Sequence, residues 1–137
     1  MDKKLILVVD DEPSILIAVK DTLEINYDVI TAKNGKEAIK MIEKHNPDLV
    51  IMDIMMPDMD GFEAIKKIRE QGKLLKTPVI FLSAKTGIAD IEHGLELGGF
   101  DYITKPFSPS KLLKKVDEAF QRLEIRKKIQ QKKISEK

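Results

Sequence analysis

Five short apolar runs punctuate this chain: Leu5–Val9, Asp28–Ala32, Leu49–Met52, Val79–Ser83 and Phe100–Thr104. Most are rich in Val or Ile, or are bounded by turn residues, as strands are. Between them, apolar residues recur three and four apart, the period of a helix with one buried face. The first such stretch carries Ile15, Leu16, Val19 and Leu23; the second, Ala38, Ile39 and Ile42; the third, Phe62, Ile65 and Ile68; the fourth, Ile88, Ile91 and Leu95. The last carries Leu112, Leu113, Val116, Ala119, Phe120 and Leu123. Asn34 with Glu37, and Asp60 with Glu63, each set an N-cap acceptor three residues before a glutamate. Ser108-Pro109 places a cap residue before a proline suited to the first helical turn. Gly72 and Gly98-Gly99 follow helix ends, where left-handed caps are common. Strict β/α alternation predicts an α/β fold with a doubly wound five-stranded parallel sheet between two helical layers.

The strand ends change this from a fold to a site. Asp53 closes the third run, and Asp10-Asp11-Glu12 follow the first. A carboxylate at the end of a buried strand costs free energy unless its charge is used. Ligands of open α/β sheets bind outside the carboxyl ends of the strands, near the point where strand order reverses. Asp10, Asp11, Asp53, Ser83 and Lys105 all fall at or just past such ends. They should therefore meet in one pocket, with the acids as divalent-cation ligands and one of them as a candidate nucleophile.

Composition narrows the setting. The 137 residues fit one domain, and 42 % apolar with 34 % charged residues is the balance of a soluble globular protein. The absence of cysteine excludes disulfides and thiolate zinc sites and fits a reducing cytoplasm. Met1-Asp2-Lys3-Lys4 leads into only five apolar residues before the acids, too few for a signal peptide or a membrane span. The formal net charge of +1 is unevenly spread: the residues after Gln121 hold a surplus of five positive charges, leaving −4 on the rest. A charge run of this kind is usually a solvated helix face. It lacks interleaved aromatic residues that could stack on bases, which argues against direct nucleic-acid binding.

Taken in order, Val9-Asp10-Asp11-Glu12, Asp53 with Met56-Pro57 and Asp60-Gly61, Leu82-Ser83-Ala84, and Asp101-Tyr102-Ile103-Thr104-Lys105-Pro106-Phe107 resemble the receiver domain of two-component response regulators. The resemblance implies a (βα)5 flavodoxin-like receiver over residues 1–124, followed by a basic helical extension or linker at 125–137. It also implies a cytoplasmic phosphorylation switch rather than an enzyme with a separate substrate. Asp53 would accept a phosphoryl group from the phosphohistidine of a sensor histidine kinase or a phosphotransfer protein. Asp10, Asp11, Asp53 and the backbone carbonyl of Met55 would hold Mg²⁺, with Mn²⁺ as a substitute. Ser83 and Lys105 would bind phosphoryl oxygens, and Tyr102 would couple them to the face formed by the fourth helix, fifth strand and fifth helix. That face would engage a downstream output domain or partner protein. The Lys105–Pro106 peptide is cis in the family.

Some positions depart from the family's commoner pattern. Serine stands at position 83, where many relatives have threonine. Met55 and Lys85 flank the expected phosphate and are expected to tune dephosphorylation. Asp101 and Lys115 could supply one pair of a charge network used for dimerisation, but Phe100 and Ile91 break the rest, so a phosphorylation-dependent homodimer is left open. Three other functions fit less well. A haloacid-dehalogenase-like phosphatase would place its nucleophile after strand one with an acid two residues on, and here Glu12-Pro13 follow Asp10-Asp11. A mononucleotide-binding domain would want a glycine-rich loop there. A receiver that works without phosphorylation would not need the intact acids, hydroxyl and lysine. His45 and His93 stand apart from any ligand set and read as surface residues, and Glu12 reads as charge at a helix start that borders the metal site.

Overall fold

The computed structural model describes residues 3–74, 76–84, 92 and 99–135. Its elements follow in the order β1 (Leu5–Val9), α1 (Pro13–Leu23), β2 (Asp28–Ala32), α2 (Gly35–His45), β3 (Leu49–Asp53), α3 (Gly61–Glu70), β4 (Val79–Ser83), β5 (Gly99–Thr104) and α4 (Pro109–Ser135). The stretch with Ile88, Ile91 and Leu95, together with Lys85, His93 and Gly98, lies outside the described residues. Gly99 opens β5.

The strands form one parallel sheet in the order β2-β1-β3-β4-β5. Order reverses between β1 and β3, so the carboxyl ends of these two central strands flank the crevice where ligands of such sheets bind. Strands β1, β3 and β4 are buried on both sides, which explains why they read as continuous apolar runs without alternation. Alternate residues feed two cores. Leu7, Val9, Val50, Met52 and Phe81 pack under α2 and α3. Ile6, Val8, Leu49, Ile51, Ile80, Leu82 and Ile103 pack with Val19 and Leu23 of α1 and with Leu112, Val116 and Ala119 of α4. Each such side chain contributes roughly 1.5–3 kcal/mol on burial.

The caps form as the residues dictate. Asn34 Oδ1 accepts from the Glu37 N–H, and Asp60 Oδ1 from the Glu63 N–H, both at 2.8 Å. Ser108 Oγ accepts from the Lys111 N–H at 3.2 Å. Gly72 after α3 has φ +79, a conformation costly for any other residue. Helix α4 runs on without a break to Ser135, and every residue from Glu124 to Ser135 is exposed.

Candidate functional site

The crevice is acidic and largely buried. Asp10, one residue past β1, is 0 % exposed; Asp53, the last residue of β3, and Ser83, the last of β4, are also buried. Asp11 and Glu12 stand at its rim, exposed. Local backbone fixes the acids. Asp10 Oδ1 accepts from the Glu12 N–H at 2.9 Å, and Asp53 Oδ1 accepts from the Met55 N–H at 3.3 Å. The loop beyond β3 is tied to β4 and to α3: the Ile54 N–H bonds the Leu82 carbonyl at 3.2 Å, and the Gly61 N–H bonds the Ile54 carbonyl at 2.9 Å. Gly61 is required there. A Cβ at this position would lie 2.3 Å from the Asp53 carbonyl oxygen and 2.9 Å from Met52 Cγ.

Lys105 enters from the loop after β5, its own N–H anchored on the Ser83 carbonyl at 3.0 Å. The Lys105–Pro106 peptide is cis. The Lys105 side chain, 14 % exposed, reaches three carboxylates: Asp10 Oδ2 at 2.8 Å, Asp53 Oδ2 at 3.6 Å and Glu12 Oε1 at 3.7 Å. Burial alone would lower the Lys105 pKa, but the contact with Asp10 and the charges of Asp53, Asp10 and Glu12 raise it above the usual lysine value. Asp53 feels the reverse balance. Burial first, then the Asp10 charge, push its pKa up to about 6, against the opposing pull of Lys105 and the Met55 N–H.

The donor set fits a hard divalent cation. Carboxylate oxygens of Asp10, Asp11 and Glu12 lie within 4.8 Å of one another, and Asp53 shares Lys105 with Asp10. Asp10 Oδ2 is buried and paired by charge, yet it makes no hydrogen bond of good geometry, so its ligating capacity is not spent. All these donors are oxygen, the choice of Mg²⁺ and Mn²⁺.

The remaining expected positions distribute as follows. Met55, beside Asp53, is 57 % exposed. Tyr102 lies on the same sheet face as Ser83, since it pairs with Phe81 while Ser83 pairs with Thr104. Its ring packs on the core under α2 and α3, with the hydroxyl buried. Asp101 and Lys115 pair within the chain at 2.7 Å. Lys85 falls outside the described residues. Two residues have roles here that the sequence does not show. Glu12 precedes α1, but its side chain makes no capping bond and turns to Lys105 instead. Gly61 sets the fit of α3 under Asp53. The only signal for Glu12 is its place directly after the acidic pair.

The family described as the response regulator receiver domain matches residues 6–117. The chain belongs to this family. It is 48 % identical over 126 residues to the alkaline phosphatase synthesis transcriptional regulatory protein PhoP of Bacillus subtilis, covering 91 % of this chain and 51 % of that protein. It thus spans about half the length of the curated relatives it matches. Among solved structures, a CheY-like receiver domain protein from Methanospirillum hungatei superposes with a TM-score of 0.85 at 31 % identity, covering 91 % of this chain and 99 % of that one. The BeF3-activated DrrB receiver domain superposes with a TM-score of 0.79 at 32 % identity, covering 87 % and 98 %. As a receiver domain it is a two-component signalling module, not an enzyme with a separate substrate, and membership implies a histidine kinase as partner. No helix among the described residues is long and apolar enough to cross a membrane.

Proposed function

We propose that this receiver is a phosphorylation-driven switch of a two-component system or phosphorelay, with Asp53 as phosphoacceptor. The observation that carries this reading is a buried carboxylate at the switch point of the sheet, 3.6 Å from a buried-stem lysine and beside a second buried acid. An Asp53 carboxylate oxygen attacks phosphorus of the donor's phosphohistidine. The P–N bond breaks, and its electron pair stays on the imidazole. Charge accumulates on the equatorial oxygens, so positioning and neutralisation dominate the catalysis. Lys105 and the Ser83 hydroxyl contact two of those oxygens. Asp10, Asp11, Asp53 and the Met55 carbonyl would hold Mg²⁺ or Mn²⁺, which would supply positive charge to the phosphoryl oxygens.

The readout runs through Tyr102. Its place on the Ser83 face of β5 lets movement of the serine hydroxyl change the space available to the ring. The fifth strand and the helices flanking it then alter their affinity for an output domain or partner protein, a population shift between two states. Met55 side-chain bulk beside Asp53, and Lys85, set how fast water removes the phosphoryl group. Residues 1–124 form the receiver and 125–137 a basic extension or linker in a cytoplasmic protein. The transcriptional regulators among its relatives, about twice its length, favour a downstream output domain.

Incubation with Mg²⁺ and acetyl phosphate, followed by intact mass, tests this reading. The expected result is one phosphoryl adduct that is absent in Asp53→Asn. An adduct that survives the substitution, or none from acetyl phosphate or a phosphorylated kinase, overturns it.

A further inference from the structure

Glu12 occupies a position that helix capping does not account for. As the residue before α1 it could cap the helix, yet its side chain accepts no bond from the helix. The carboxylate, 59 % exposed, lies instead 3.7 Å from the Lys105 ammonium. Lys105 is thus shared among one close ion pair, with Asp10 at 2.8 Å, and two looser ones, with Asp53 and Glu12. Asp10 is itself wanted twice. Its Oδ2 either faces the ammonium, as here, or ligates a divalent cation; two cations on one buried oxygen repel.

We infer that Glu12 is a positioning residue for Lys105: the acceptor that takes the ammonium when Asp10 turns to a divalent cation. This rests on the reading of Asp10, Asp11 and Asp53 as cation ligands. The geometry favours it in two ways. Glu12 is already within ion-pair range, so the lysine needs only a small swing of its terminal bonds. Glu12 also stands at the rim on a flexible stem, so it can follow the lysine without disturbing the buried acids. Held at the mouth by Glu12, the ammonium stays next to Asp53 Oδ2, where a phosphoryl group would arrive, and does not escape to solvent.

A double-substitution cycle on cation affinity separates this role from a direct attraction between Glu12 and the metal. The Mg²⁺ dissociation constant is measured by calorimetry at constant ionic strength for the wild type, Glu12→Gln, Lys105→Met and the double variant. Cooperative thermal melting of each metal-free protein checks that it is folded. In the wild-type background, Glu12→Gln should weaken Mg²⁺ binding roughly fivefold, the scale of one partly exposed ion pair. In the Lys105→Met background it should weaken binding by under about twofold. Equal losses in both backgrounds would mean that Glu12 acts on the metal itself and would overturn the proposal. No loss in either background would do the same. A wild type that takes up phosphoryl on Asp53 while the cycle is additive defeats this inference alone. A wild type that binds no Mg²⁺ and forms no adduct defeats the functional reading with it.

Discussion

Asp53 is held in an environment that disfavours its own charge. Its pKa is raised to about 6 from an ordinary 3.8, chiefly by burial and by Asp10. The fold therefore binds a proton more tightly than the unfolded chain does. Between pH 4 and 6 stability falls as pH rises, and above pH 6 the penalty is fully present. In chelator-treated protein at pH 7.5, Asp53→Asn should be more stable than the wild type by about 1–3 kcal/mol. The gap should close towards pH 4, as read by urea unfolding at several pH values. A gap that widened on acidification would contradict this cause. Gly61 makes the opposite prediction. Its missing Cβ is what lets α3 approach the Asp53 carbonyl, so Gly61→Ala should cost about 2 kcal/mol or more and slow phosphoryl uptake. Unchanged unfolding and uptake would show that the loop yields freely.

At the scale of elements, most of the architecture is legible in the chain because its causes are local. The strands declare themselves as apolar runs, and Asn34 and Asp60 announce α2 and α3 by caps whose bonds are both present. Either residue changed to Ala should cost about 1 kcal/mol in chemical denaturation. What the sequence hides is set by contacts between distant segments. Nothing near Lys105 says that its nearest carboxylate is that of Asp10, some 95 residues away, rather than that of Asp53. Nothing near Tyr27 says that its hydroxyl will donate to Asp117 at 2.5 Å while its ring stacks on Phe120, tying the start of β2 to α4. Leu74, buried with φ +58 between α3 and β4, is likewise a tertiary outcome: its place in the core outweighs a backbone conformation that its side chain disfavours. The acids, serine and lysine were readable as a set because each lies at or just past the end of a strand, and strand ends in a parallel sheet share an edge. The turn of Glu12 to Lys105 was not, since its sequence position suits a helix start and only the fold brings the two together.

For the whole molecule, charge and mass divide at about Leu123. Up to there α4 contributes Leu112, Val116 and Ala119 to the core; beyond it, every described residue is exposed. Removing residues 125–137 should change stability by less than about 1 kcal/mol, because no buried apolar surface is lost. It should move formal net charge from +1 to −4, visible as a lower isoelectric point. A large loss of stability would place the tail in the fold rather than beside it. Saturating Mg²⁺ should raise the melting midpoint of both forms equally, since ligation stabilises only the folded state and the acids lie at the other end of the sheet from the tail.

The unbroken course of α4 has a mechanical meaning. At 1.5 Å per residue, the helix is a rod of about 40 Å, and roughly 18 Å of it stands clear of the core. A tilt of about 5° about its packed half would carry Ser135 through roughly 2–3 Å, a geometric gain set by length alone. Motions too small to disturb Val116 against the sheet would therefore arrive, amplified, at the far tip.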